Sequence, residues 1–371
     1  MCEQKSIRYP FASLLAALVI ALVLNCFLAT VTSAQEDGQE ASPHETLTIG
    51  VLALEGATRA LEAWQSTTDL LNRSAARSNL PYEFALQPHT HSSLIEAVEN
   101  GAIDLMLTDP SMFAGLEMEN GARAVLSLAR MWEGAAIDVS GALVFVRQSE
   151  TARSLSDLEG KRVMAVAPND FAGWWLAEQE FRKSGLEPKD FFSNLLFSGG
   201  NEREAVYAVQ SGLVDAGIVR AGLLEQLAEA GIIELSDYAP LNLRRYEAYP
   251  FWTSTPLYPE WVLSALESVP EPALAHVIDT LLELTPDSPE SEASGGYVWQ
   301  APQNYKSVHD LLISLRVRPY ENYFQQAAMR IYRAYRGPIL AIAVLSLLSV
   351  AFLVYEVRRN RQLAEQQRNV L

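Results

Sequence analysis

Two long apolar runs near the ends, Phe11 to Val31 and Ile339 to Tyr355, limit what this chain can fold into. The first comes after Lys5 and Arg8 and gives way to Thr32-Ser33-Ala34 and then Gln35-Glu36-Asp37. Basic, apolar and small residues in that order make residues 1–34 a secretory signal, with cleavage expected after Ala34. Retention as a signal anchor is the alternative, and either one exports the residues after Ala34. A lipid anchor on Cys26 is disfavoured by Asn25, a poor residue before such a cysteine. The second run carries no charge, and with its flanks it approaches the roughly 20 residues that a membrane-spanning helix needs. A buried core helix is the competing reading, and only a short polar tail comes after it to wrap it. Arg330, Arg333 and Arg336 before the run and Arg358, Arg359 and Arg361 after it balance, so flanking charge does not orient the span. The export signal does, and places residues 356–371 in the cytoplasm.

Much of the 49% apolar content falls in these two runs, so the residues between them have the composition of an ordinary soluble protein. Their length leaves room for about two lobes of 100–150 residues. A net charge of −17 repels phosphate backbones, and no basic stripe offsets it, which excludes a nucleic-acid partner. Both cysteines, Cys2 and Cys26, lie in the export segment, so the exported part has no thiol for a disulfide, a zinc site or a nucleophile.

Short β-rich runs alternate with helical periodicity from about 46 to 240, the pattern of βαβ units on a mostly parallel sheet. Strands are expected at Leu47–Leu52, Glu83–Leu86, Asp104–Leu107, Ala142–Val146, Arg162–Ala165 and Asp215–Val219. Helices are expected at Thr58–Asn72, Ala172–Ser184, Glu204–Gln210 and Ala221–Ala230. Extended crossings near Phe145-Val146-Arg147 and Ala239–Arg245 divide this region into two α/β lobes on a hinge. The first lobe takes residues 46–145 and 246–320, the second 146–245. From Pro256 the chain is expected to be mostly helical, at Tyr258–Glu267, Pro272–Leu284, Tyr305–Leu315 and Glu321–Arg336, with Thr285–Gly296 an exposed loop. Residues 321–338 connect the lobes to the span at 339–355, either as a rod that transmits movement or as a plain tether.

Three strand ends run directly into residues suited to helix N-termini: Thr108-Asp109-Pro110-Ser111, Asp170-Phe171 and Gly199-Gly200-Asn201. Open α/β sheets bind ligands at such ends, where free N–H groups favour polar atoms. The plainer reading is that Thr108, Asp109 and Asn201 only cap helices. Asp170 would oppose an anion if it faced a cleft, unless its own helix occupies it. Glu55-Gly56 after the first strand forms a fourth wall, and Phe171 and Trp174 offer an apolar face or belong to the core. Arg220, after Gly217-Ile218-Val219, could clamp an oxyanion or sit in an ion pair. His89-Thr90-His91 invites a metal reading, but no third ligand stands near it, and neither a metal nor a cofactor is expected. No phosphate loop, nucleophile elbow or catalytic dyad is present, so an enzyme is not expected.

Several stretches are similar to phosphonate-binding-protein-like periplasmic domains, in the version that forms the sensor of tetrathionate-sensor-type histidine kinases. They are Asp104–Ser111, Phe171-Ala-Gly-Trp174, Ala205–Arg220, Ser254–Trp261 and Tyr305–Tyr320. The resemblance implies a type II periplasmic-binding-protein fold at 46–320, closing on a small oxyanionic or sulfur-containing solute. It brings Gly173 into the ligand loop, whereas Ala172 replaces the small polar residue usual there and counts against a phosphonate. The implied protein is a sensor of the bacterial inner membrane with its main domain in the periplasm. No kinase domain fits after Arg359, so a separate or lost histidine kinase is implied, and a homodimer is compatible. A membrane-tethered component of a phosphonate-type ABC transporter is the alternative, and a reading frame cut short of its kinase is a third.

Overall fold

In the computed structural model, the described residues are 45–321 and 345–359. The first sheet opens with β1 (Glu45–Leu52), α1 (Ala57–Arg77), β2 (Tyr82–His89), α2 (His91–Glu99), β3 (Leu105–Thr108), α3 (Pro110–Asn120) and β4 (Arg123–Trp132). After β5 (Ala135–Ile137) and β6 (Val139–Ser140) the chain enters the second sheet through β7 (Ala142–Arg147). β8 (Arg162–Ala165), α4 (Leu176–Lys183), α5 (Pro188–Phe191), β9 (Asn194–Phe197), α6 (Glu202–Ser211), β10 (Ala216–Arg220), α7 (Leu223–Glu229) and β11 (Tyr238–Leu241) complete it. The return runs through β12 (Arg244–Tyr246), β13 (Tyr249–Thr253) and β14 (Tyr258–Pro259) to β15 (Val262–Ala265). Then α8 (Glu271–Leu282), α9 (Pro289–Ala293), β16 (Tyr297–Gln300) and α10 (Lys306–Leu315) finish the first lobe.

Local chemistry sets several boundaries. α3 starts because the Asp109 carboxylate accepts the Ser111 and Met112 N–H groups and Pro110 tolerates the first helical position. It ends where Gly121 takes the left-handed conformation. Asn201 and Gly212 bound α6 in the same way.

The first sheet has the order β16-β4-β15-β3-β1-β2, with β5 paired to β4. β1 is parallel to β2 and β3, whereas β15 runs antiparallel to β3 and β4. The second sheet, β11-β7-β10-β8-β9, places antiparallel β7 beside β10 and β11. Each sheet therefore gains antiparallel members that a mostly parallel expectation did not include. The crossings are pinned by polar contacts: Ser254 Oγ accepts the Val144 N–H at 2.8 Å and donates to the Leu241 carbonyl at 2.6 Å.

Other expectations need correction. Tyr258–Glu267 is not a helix but holds β14 and β15, whose Val262–Ala265 is wholly buried between β3 and β4. A short apolar run has no period of its own, and the neighbouring strands decided. The first crossing lies before Ala142 and not at Phe145–Arg147, which is the body of β7. Similarly, Tyr238–Leu241 belongs to β11, so the return begins later than expected. Thr285–Gly296 is not wholly an exposed loop, since it contains α9, whose buried Glu290 pairs with Arg73 of α1 at 3.0 Å.

Residues 1–34 and 322–338, with the expected signal and most of the connecting rod, lie outside the described residues. So does the start of the expected span, 339–344. Residues 345–359 are helical with exposed apolar side chains, but among the described residues no helix is long and apolar enough to cross a membrane.

Phe113, 1% exposed, meets the Tyr305 ring edge-on at 4.9 Å in the first lobe. Phe113→Ala is expected to destabilise the fold by about 3–5 kcal/mol, measured by urea unfolding, because it leaves a cavity under a fixed ring.

Candidate functional site

The carboxyl ends of the strands in both sheets open onto one cleft of about 450 Å³ between the lobes. The first lobe supplies Glu55 and Gly56 after β1, Asp109 and Pro110 after β3, Arg59 and Trp64 of α1, and Glu260, Trp261 and Tyr297. The second supplies Asp170, Phe171, Ala172, Gly200, Glu202 and Arg220. A neighbouring hollow is lined by Glu55, Gly56, Arg59, Gly199, Asn201 and Arg203.

The expected site residues divide accordingly. Glu55, Gly56, Asp109, Asp170, Phe171 and Arg220 line the main cleft, and Gly199 and Asn201 line the hollow. Thr108, Ser111, Gly173 and Trp174 do not reach either surface. Thr108 is fully buried without capping a helix. Ser111 donates its hydroxyl to Asp109 at 2.6 Å. Trp174 packs edge-on against Phe197 in the core. Gly173 supports Asp170 from behind, giving its N–H to Oδ1 at 2.6 Å. A Cβ on Gly173 would strike Val166, so only glycine lets that turn close. The turn, Phe171–Trp175, is wound wider than an α-helix, with the Trp175 N–H bonded to the Asp170 carbonyl five residues back. Such single wide turns recur at functional sites.

Capping and cleft lining are compatible roles. Asp109 uses Oδ1 for its cap, while Oδ2 lies 3.6 Å from His91 Nε2. Burial alone would raise the Asp109 carboxyl, but His91, Ser111 and the Met112 N–H override it and hold it below the ordinary range. Burial likewise opposes charge on His91, and the Asp109 and Asp170 carboxylates override it and raise the imidazole. His89 closes β2 and His91 opens α2, so the two rings do not share a strand, and the described residues contain no metal-binding cluster.

Asp170 has no ion pair among the described residues. Burial, then the Glu202 charge, then Asp109 push its carboxyl up to about 7, against the Gly173 N–H and His91. Glu202 is raised too, by burial and by Glu55 and Glu260, although Arg220 opposes this.

Arg220 spans the two lobes. It donates to the Tyr297 hydroxyl at 2.9 Å and lies 3.7 Å from Glu260 and 4.0 Å from Glu202. Arg130 stands 5.9 Å over the Tyr297 ring. The guanidinium expected to clamp an oxyanion is thus already surrounded by acceptors. Sequence reasoning missed Glu202, Glu260, Tyr297 and Arg59, and considered His91 only as half of a metal pair with His89. Only Glu202 carried a local signal, as the residue after a capping Asn201.

The lobes touch beside the cleft. Gly200 has φ +106, and a Cβ there would come 2.6 Å from the Leu54 carbonyl oxygen of the other lobe.

Two sheets joined by two crossings, with strand ends facing a shared cleft, define a two-lobed periplasmic binding protein. A family model described as "ABC transporter, phosphonate, periplasmic substrate-binding protein" matches residues 49–304, and the chain belongs to that family. The tetrathionate sensor histidine kinase TtrS of Salmonella typhimurium is 30% identical over 324 residues, which is 86% of this chain. The chain spans about half of that relative, 52% of its length. Among solved structures, PhnD1 of Prochlorococcus marinus in complex with methylphosphonate superposes with a TM-score of 0.56 at 14% identity, covering 74% of this chain and 99% of that one. XAC2383 of Xanthomonas citri bound to ATP gives 0.56 at 16% identity, covering 74% and 98%. At these identities the two structures establish the fold.

Asp109→Ala is expected to cost about 1–2 kcal/mol in chemical denaturation through loss of the α3 cap. Because the Asp109 carboxyl is lowered, its stabilisation is present above the ordinary carboxylate range and fades as pH falls through it. Gly200→Ala is expected to hold the lobes apart, by collision with Leu54 and by strain at positive φ. The measurement is an electron–electron resonance distance between spin labels at Thr58→Cys and Glu204→Cys, with Cys2→Ser and Cys26→Ser, which should lengthen.

Proposed function

We propose that the chain is a membrane-anchored periplasmic sensor that binds a small solute between its lobes and signals to a separate histidine kinase. The observation that carries this reading is the cleft itself, lined from both lobes and bridged by Arg220 to Tyr297. A solute seated there touches both lobes at once and so favours closure. Similarity to a sensor kinase over 86% of the chain favours sensing. The uncharged run Ile339–Tyr355 supports an anchor, and residues 345–359 are helical with Leu347 69% and Phe352 64% exposed. The family description supports a second reading, the binding component of an ABC importer.

Arg59 and Arg220 face six carboxyl groups in the cleft: Glu55, Glu62, Asp109, Asp170, Glu202 and Glu260. An oxyanion would bind by drawing Arg220 away from Glu202 and Glu260, so its size and charge must repay those contacts. The test is a thermal-shift series on the full chain with tetrathionate, thiosulfate, methylphosphonate, ATP and amino acids. A ligand that binds only the native state raises the melting temperature, by an amount that grows with the logarithm of its concentration over its Kd. Arg220→Ala is expected to weaken the best hit at least tenfold, about 1.4 kcal/mol. An unchanged affinity would remove Arg220 from the binding set. Ligand-dependent phosphorylation of a co-reconstituted kinase would support sensing, whereas ligand delivery to a permease would replace it with transport.

A further inference from the structure

Two helix-capping carboxylates, one from each lobe, line the same cleft. Asp109 is 3% and Asp170 6% exposed, both line the same cavity, and they interact electrostatically. Asp170 belongs to the second lobe, where the Gly173 N–H holds one of its oxygens. The groups it faces are Glu202 at the start of α6, Asp109 before α3 and His91 of α2. Further round the cavity stand Glu55, Arg59, Glu62, Arg220 and Glu260.

Among the described residues no cation forms an ion pair with Asp170. His91 lies against Asp109, and Arg220 lies among Tyr297, Glu202 and Glu260. Closing the lobes therefore strips water from Asp170 and brings a second carboxylate toward it, with no counter-charge of its own. A carboxyl group in that position is stable when protonated, because burial and a like charge both act against the anion. In an open cleft, water reaches Asp170 and the first lobe's Asp109 recedes, so the anion is tolerated.

We propose that closure of the two lobes takes up a proton at Asp170, so that acid favours the closed domain even without a ligand. The direction comes from linkage. The carboxyl is raised in this structure, to about 7, and an opening that hydrates it would hold it lower. Between those two values the closed form holds one more proton. The closed-to-open ratio then falls as pH rises toward 7, by at most tenfold per pH unit, and levels off above it. His91 acts in the opposite sense, since its positive charge favours ionised Asp170. Removing that charge moves the transition to higher pH.

This device is separate from the identity of the solute, and its test needs none. Spin labels at Thr58→Cys and Glu204→Cys, in the Cys2→Ser/Cys26→Ser chain, flank the Gly200–Leu54 contact and report lobe separation. Distances are recorded from pH 5 to 8.5. The short-distance population of the otherwise unaltered chain is expected to shrink as pH rises toward 7. Asp170→Asn keeps the acceptor for Gly173 without the charge, and is expected to stay in the short-distance state across the range. His91→Gln is expected to retain the response and shift it upward. A pH-independent distance in the parent chain would overturn the proposal. So would an unaltered response in Asp170→Asn, or a response lost in His91→Gln, which would make the imidazole the titrating group. Far-ultraviolet circular dichroism on each variant at both pH limits separates lobe movement from unfolding.

Discussion

The two lobes are held in register by Arg220, which leaves the end of β10 and reaches across to Tyr297 of β16. Hydrogen bonds to a charged group contribute about 1.5–3 kcal/mol each when buried. Here Glu202 of the same lobe and Glu260 of the other share the guanidinium, whose protonated form is favoured by Tyr297 and by both carboxylates. That contact joins the lobes in addition to the crossings at Ala142 and Ser254, which are themselves pinned by polar contacts. A solute that enters competes with contacts already made, so affinity reports the difference between the two sets.

Buried carboxyl groups are the other recurring element. Asp109 and Asp170 each do a structural task with one oxygen, capping the chain where a strand becomes a helix. The same position at a strand's carboxyl end directs them toward the cleft. Capping and ligand contact are therefore not competing explanations. Asp109 gained a cationic neighbour in His91 and stays ionised; Asp170 gained Glu202 and does not remain an ordinary carboxylate. The difference is set by side chains distant in sequence.

Much of the scaffold was legible. Arg162–Ala165 reads as a strand and is β8, and the capping residues Asp109 and Asn201 mark the starts of α3 and α6. The stretches Asp104–Ser111 and Ala205–Arg220 pointed to a phosphonate-binding-like domain, and the family match spans residues 49–304. The illegible parts were those whose conformation depends on a partner. Val262–Ala265 is a strand because β3 and β4 leave a slot between them, and α9 forms where Glu290 can meet Arg73. Neither neighbour is visible in a local window.

The sequence by itself determined the alternation of strands and helices, the turn chemistry that ends each strand at a helix cap, and the family. Those are local properties, written in periodicity and in the preferences of Asp, Asn, Gly and Pro. Only the tertiary structure decided which groups share the cleft. It brought Glu202, Glu260 and Tyr297 around Arg220, and His91 to Asp109, from positions up to 77 residues apart in the chain. It also left Asp170 without an ion pair among the described residues, because burial and electrostatic neighbourhood arise only when two sheets close on each other.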